Sequence, residues 1–298
     1  EHTVDGGAGA DTLTMTAATS AMTFDFSTSD AQQITAGSTT NVTYKNFENL
    51  VASGAKANLT VTAASATTVI TTGAGDDTIT AAAASQGVTI TAGAGTNTVT
   101  GSAFGDTIAL GAGADAITAG LGSDSVTGTP SLGDVIDLGG DNDTFAYKPL
   151  TVTAAVTGGA GVDTLTYAGS AQTTFDFETD TADNVVANTG TYALFENLDA
   201  SAASARITAI ATGTTTSILT GKGADNIDAS NADAAVTINA GNGANIVIGS
   251  DYNDTITLGT GVDRVSAGLG SDTVSGSFTI GDQIDLGGGA DSIGYQKL

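Results

Sequence analysis

The sequence has no cysteine and no tryptophan, two prolines, and a single histidine at position 2. Without cysteine there is neither a disulfide framework nor a zinc-thiolate site. One histidine beside the first residue supplies no imidazole for a triad, and no GxSxG or HExxH segment occurs, so serine hydrolase and zinc protease chemistry are excluded. Basic residues are nearly as scarce. Seven Lys+Arg stand against 32 Asp+Glu in 298 residues, a formal charge of −25 that excludes a nucleic-acid partner. No apolar run reaches the roughly 18 residues of a membrane span, and residues 1–30 lack the basic start and apolar core of a secretory signal. Because Glu1 is not an initiator Met, the chain reads as a processed or excised piece.

What is present is a matrix of Gly, Ala and Thr that folds. Hydrophobic residues make up 40%, which argues against a disordered polyacid, and aromatics only 5%, so the core must come from small and β-branched side chains. Charged residues are 13% and nearly all acidic, so carboxylates are spaced through an otherwise neutral chain and need a counter-charge.

The chain repeats at two scales. GGAGADTLT at Gly6 returns as GGAGVDTLT at Gly158, TFDF at Thr23 as TFDF at Thr174, FENL at Phe47 as FENL at Phe195, and GLGSD at Gly120 as GLGSD at Gly268. Two tandem units follow, 1–150 and 151–298. Each opens with a strand-rich segment, 1–70 or 151–220, and continues into a periodic one, 71–150 or 221–298. In the periodic parts Asp77, Asn97, Asp106, Asp115, Asp124, Asp134 and Asp143 correspond to Asp225, Asn245, Asp254, Asp263, Asp272, Asp282 and Asp291, and both series step by 20, 9, 9, 9, 10 and 9. An aliphatic residue follows most of them at the second position, as in Ile79, Val99, Ile108, Ile117 and Val126.

Nine residues fit neither a helix stripe nor a heptad. They suit a strand of three or four residues, its aliphatic residue inward and Thr or Ser outward, followed by a turn whose glycines permit backbone that a Cβ forbids. Two such pieces make one coil of a flattened solenoid, and coils stack as parallel strands. Acidic residues two repeats apart then share an edge: Asp106, Asp124 and Asp143 on one, Asp115 and Asp134 on the other, and likewise Asp254, Asp272 and Asp291 opposite Asp263 and Asp282. The opening segments read as strands with period-two alternation, MTFDFS, NVTYKNF, NLTVTA and TTVITT, then TTFDFE, NVVAN, ARITAIA and TSILT. Phe24, Phe26, Phe47, Phe175, Phe177 and Phe195 are expected to pack inside a wider coil.

These nonapeptides resemble the repeats-in-toxin (RTX), haemolysin-type motif GGxGxDxUx, a calcium-binding parallel β-helix. Those at Gly6 and Gly158 match in full; TGAGDDTIT, LGAGADAIT, AGLGSDSVT and others lose the first Gly, and GSAFGDTIA and GSDYNDTIT look like looser variants. FENL resembles a strand found ahead of RTX blocks. The resemblance implies an all-β, right-handed parallel β-helix or β-roll solenoid, two units stacked as a rod, holding several calcium ions. It carries the metal-ligand role to Asp11, Asp77, Asp106, Asp115, Asp124, Asp134, Asp143, Asp163, Asp225, Asp254, Asp263, Asp272, Asp282 and Asp291. Calcium wants six to eight oxygens, which Gly-turn carbonyls and one Asp per turn can supply. Asn97 and Asn245 offer neutral ligands, so weaker or absent sites are expected there. The turns before Asp134 and Asp282 lack the glycines, and Asp141 holds a Gly slot before Asp143, so altered turns are expected.

No enzyme is read here. Carboxylate pairs such as Asp76 with Asp77 are turn and ligand residues rather than a glycosidase pair. The family resemblance implies type I secretion and an extracellular or bacterial cell-surface location. Within the family the chain looks most like a calcium-dependent surface-layer (S-layer) or other structural protein that assembles with itself, head to tail or laterally, with a cell-surface polysaccharide as a further partner and no membrane insertion. The stalk of a giant RTX adhesin is the alternative, and a carbohydrate-binding or accessory module of a secreted enzyme a remoter one.

Overall fold

The computed structural model describes residues 2–28, 33–36, 42–148, 153–177 and 191–295. Among them the regular elements are strands, and they pair in parallel apart from Met22–Asp25 with Ile34–Ala36. The chain divides into two compact units: Glu1–Phe145 with Leu150–Gly161, and Ala146–Pro149 with Val162–Leu298.

In the first unit the chain passes alternately between two ladders. One stacks Leu50, Ile70, Ile90, Ile108, Val126 and Phe145. The other stacks Val61, Ile79, Val99, Ile117, Ile136 and Val156. All twelve are 0–2% exposed. Neighbours in a stack are one coil apart: Ile90 pairs with Ile108 and Val99 with Ile117, so two nonapeptides close a coil as the period requires. Short strands suffice because each contributes one inward aliphatic, worth about 1.5–3 kcal/mol when buried, and the flanking threonines face out or lie at the rim. The second unit repeats the plan with Leu165, Leu198, Ile218, Ile238, Ile256 and Val274 in one stack. Phe175, Ala209, Ile227, Val247, Val265 and Ile284 form the other. Ile293, on the last described strand, is 52% exposed because no described strand stacks beyond it.

The opening segment of each unit makes a wider coil. Leu13 pairs with Leu50 and Leu165 with Leu198, loops about twice as long as a nonapeptide coil. The extra interior is filled by aromatics: Phe24, Phe26 and Phe47 in the first unit, and Phe175, Phe177 and Phe195 in the second, all buried. Gln33, also buried, exchanges two 2.9 Å hydrogen bonds with the Phe47 backbone. Tyr147, Tyr167, Phe175 and Tyr192 form a ring cluster with centroids 4.9–5.7 Å apart, and the Tyr192 hydroxyl donates to the Lys148 carbonyl at 2.9 Å. The expected strands are present except NVVAN, 184–188, which lies outside the described residues.

Candidate metal centres

At every turn into a ladder the acidic side chain reaches back one coil and accepts a backbone N–H with one oxygen. On one edge of the first unit Leu59 donates to Asp77 Oδ1 at 2.7 Å, Asp77 to Asn97 Oδ1 at 3.0 Å, Asn97 to Asp115 Oδ1 at 3.0 Å and Asp115 to Asp134 Oδ1 at 2.8 Å. On the other, Val88 donates to Asp106, Asp106 to Asp124 and Asp124 to Asp143, at 2.6–2.7 Å. The second unit has the same two chains: Ile207, Asp225, Asn245, Asp263 and Asp282, and Val236, Asp254, Asp272 and Asp291. The sharing of edges expected from the nine-residue period is thus realised, and Asp77 and Asp225 extend it.

The second oxygen separates the turns into two kinds. At Asp77, Asp115, Asp124, Asp225, Asp263 and Asp272 the residue is at most 2% exposed and Oδ2 is buried with no hydrogen-bond partner; Oδ2 of the less buried Asp11 is likewise unpartnered. Each of these seven has glycine four and two residues earlier. At Asp106, Asp134, Asp254 and Asp282 those glycines are missing, and the turn supplies its own donor to Oδ2 at 2.6 Å: the N–H of Ser102, Ser131, Ser250 and Thr279 respectively. The Ser102 and Ser250 hydroxyls add bonds to Oδ1 of 2.9 and 2.8 Å.

Asn97 shows what surrounds the unpartnered oxygen. Its Oδ1 does what an Asp Oδ1 does, and its Nδ2, standing where an Asp would put Oδ2, donates to the carbonyls of Gly93 (3.5 Å) and Gly95 (3.3 Å), as well as to Asp115 Oδ1 (2.9 Å). Asn245 Nδ2 donates to Gly241 in the same manner at 3.5 Å. The glycine carbonyls of the turn therefore face the second side-chain atom. With an amide nitrogen there, acceptors meet a donor; with a carboxylate oxygen, acceptors meet an acceptor, a conflict that a bound cation or a proton on the carboxyl relieves.

Glycine is required for the cradle itself. A Cβ on Gly111 would strike the Gly93 carbonyl oxygen, and Gly95, at φ 125°, both turns left-handed and stacks on the Gly75 carbonyl. Asp141, the expected irregularity before Asp143, takes φ 75° in its Gly slot and accepts the Gly122 N–H at 2.9 Å.

Burial pushes the carboxyls of Asp77, Asp115, Asp225, Asp263 and Asp272 above the ordinary range, against a partial offset from the Arg206 charge at Asp225. Asp124 is pushed up to about 7, by burial first and then by the neighbouring carboxylates of Asp106, Asp143 and Asp141. Among the described residues no three carboxylates or imidazoles converge, and the turn carbonyls that Asn97 and Asn245 meet are available as further oxygen ligands. One carboxylate oxygen among carbonyls is an all-oxygen donor set suited to calcium, a hard cation, and not to zinc or copper.

Two acidic side chains of the same edge pattern escaped sequence reasoning. Glu48 and Glu196, of the FENL segments, stand in register with the acidic series: Asp11 donates to Glu48 Oε2 at 2.8 Å and Asp163 to Glu196 Oε2 at 2.7 Å. Asn49 and Asn197 face forward, each Oδ1 accepting two N–H groups of the next coil at 2.8–3.0 Å. The exact recurrence of FENL, once per unit, was the available signal.

A family model described as the RTX calcium-binding nonapeptide repeat matches the chain in four places, residues 3–14, 65–84, 91–126 and 239–274. Those segments contain Asp11, Asp77, Asp106, Asp115, Asp124, Asp254, Asp263 and Asp272, so they span both kinds of turn; Asp225, with the same unpartnered oxygen, lies outside them. No curated protein matches the chain.

Proposed function

We propose that this chain, which carries the RTX calcium-binding nonapeptide repeat, is a secreted structural solenoid whose turns are closed by calcium and which assembles with further copies of itself at a bacterial surface. The observation that carries the reading is the recurrence, in both units, of buried carboxylate oxygens without a donor, in glycine turns of the kind whose carbonyls the Asn97 and Asn245 amides meet. Asp77, Asp115, Asp124, Asp225, Asp263 and Asp272, with Asp11, would hold the ions. Bound calcium supplies the positive charge that offsets most of the −25 and joins acceptors that otherwise repel.

The chain's own groups do the rest. The backbone N–H of each preceding coil fixes one carboxylate oxygen and so aims the other. The glycines let consecutive turns approach until their carbonyls stack. The aliphatic stacks hold the turns in register. Because a carboxylate buried without a partner costs several kcal/mol, folding and metal binding are coupled, and sites of millimolar strength suffice outside the cell while leaving the chain loose at cytosolic calcium.

No catalytic step is assigned, and a cell-surface polysaccharide is the natural anchor for such a layer. The test is electron microscopy of purified protein before and after calcium addition. Sheets or filaments that form on addition and dissolve in chelator are expected of a surface layer. Monodisperse rods would overturn self-assembly and favour an adhesin stalk; unchanged particles in chelator would overturn the calcium dependence.

A further inference from the structure

Within each unit one coil differs from its neighbours. In the first unit it turns at Asn97 on one edge and Asp106 on the other; in the second, at Asn245 and Asp254. In these coils the chain itself serves acceptors that calcium would serve elsewhere. Asn97 Nδ2 donates to the Gly93 and Gly95 carbonyls, and Asp106 receives the Ser102 N–H on Oδ2 and the Ser102 hydroxyl on Oδ1. Asn245 Nδ2 donates to the Gly241 carbonyl, and Asp254 receives the Ser250 N–H and hydroxyl. Val99 and Ile108, and Val247 and Ile256, close the interior of the same coils at 0–1% exposure. The turns that flank them, at Asp77, Asp115 and Asp124 and at Asp225, Asp263 and Asp272, are those with unpartnered oxygens.

We propose that these two coils hold no calcium at their turns and form, in each unit, a calcium-independent belt that keeps its structure when the ion is withdrawn and templates the refolding of the coils on either side. The inference rests on the calcium reading of the flanking turns. The physical reason is the cost of nucleation. In a stacked solenoid each coil is stabilised by its neighbours, so the first coil is the expensive one, and every further coil adds to an existing edge. A chain in which all coils waited for calcium would have to order a coil and fill its sites at once. A belt that satisfies its own acceptors offers a ready edge: Asp115 Oδ1 takes both the backbone N–H and the side-chain Nδ2 of Asn97, and Asp124 Oδ1 takes the Asp106 N–H, so the next coil docks on donors already in place. The residue that decides the matter is Asn in place of Asp on one edge, and Ser with a large side chain in place of the two glycines on the other.

The experiment uses the full chain in two readouts. Hydrogen exchange of the calcium-free protein is expected to leave amides of 88–110 and 236–258 at least about tenfold slower than those of 111–127 and 259–275, with the difference vanishing when calcium is added. Native mass spectrometry of Asn97→Asp/Asn245→Asp is expected to show one additional calcium per substitution, and exchange in the calcium-free variant to lose the slow belts. Should the double variant fail to fold, the exchange pattern of the unmodified chain decides alone. Equal exchange rates across belt and flank in chelator, or an unchanged ion count in the folded variant, would overturn the belts while leaving the calcium reading intact. An unmodified chain that binds no calcium at all would overturn both.

Discussion

Asp106 and Asp124 stand one coil apart on the same edge of the first unit. Each is at most 2% exposed, and each accepts a 2.6 Å backbone N–H from the coil before. What differs is the second oxygen. At Asp106 the GSAFGD turn folds its own Ser102 N–H onto it; at Asp124 the AGLGSD turn leaves it alone. Two residues upstream thus decide whether the carboxylate is capped by its own turn or keeps an unpartnered oxygen, and the same pair recurs as Asp254 and Asp272. Acid at the sixth position alone does not leave the oxygen unpartnered; the seven turns described as leaving it so have glycine four and two residues before the acid.

Chelation should widen this contrast most. With calcium removed, the turns at Asp77, Asp115, Asp124, Asp225, Asp263 and Asp272 each bury an unmet charge costing several kcal/mol, more in sum than a small domain's stability. Most of the β signal in circular dichroism should disappear in excess chelator and return with calcium; a signal indifferent to chelator contradicts the comparison.

Next in size is a crossed pair of substitutions. Asp124→Asn should remove one bound ion and raise the calcium needed for folding, yet stabilise the calcium-free chain, because the amide nitrogen meets the turn carbonyls as Asn97 does. Asp106→Asn should instead destabilise by about 1–3 kcal/mol with or without calcium, since the Ser102 N–H loses its charged acceptor. Thermal unfolding with calcium and the residual β signal in chelator read the signs, and effects of equal sign without calcium would remove the distinction.

A smaller effect is expected at the joint between wide coil and array. Glu48→Ala leaves the Asp11 N–H without its acceptor and should cost about 1–2 kcal/mol, seen as faster hydrogen exchange near residues 11–14 with the ion count of the periodic turns unchanged.

The same turns should also set a pH dependence. Asp124 is raised from its ordinary value of 3.8 to about 7 in the folded chain, and Asp77, Asp115, Asp225, Asp263 and Asp272 are raised as well. A folded value above the unfolded one means the folded state holds the proton more tightly. The destabilisation is absent below the unfolded value, grows as pH rises, and is complete above about 7 for Asp124. Without calcium, more of the β signal in circular dichroism should therefore survive at pH 5 than at pH 8. With calcium the order should reverse, because ligation needs the ionised form.

Much of this was legible in the sequence because a nonapeptide array is local. The period of nine fixed the strand-turn unit, Ile79 to Val126 marked the interior, and the edge partners of Asp115 and Asp124 followed from two repeats per coil. The departures at Asn97, Asp134, Asp141 and Asp282 were visible as well. Three features were not legible, for a common reason. The roles of Glu48 and Glu196 depend on pairing across wide coils of 37 and 33 residues, where no period sets the register. The antiparallel pairing of Met22–Asp25 with Ile34–Ala36 arises inside such a coil. Whether Asp106 or Asp254 keeps a free oxygen depends on where a serine N–H points, which composition does not reveal.

The most direct test is a crystal structure of the calcium-loaded protein with anomalous difference density at the turns. Density is expected beside Asp77, Asp115, Asp124, Asp225, Asp263 and Asp272, and none beside Asp106, Asp134, Asp254 or Asp282. Ions at the latter four, or bare carboxylates at the former six, would contradict the division of the turns.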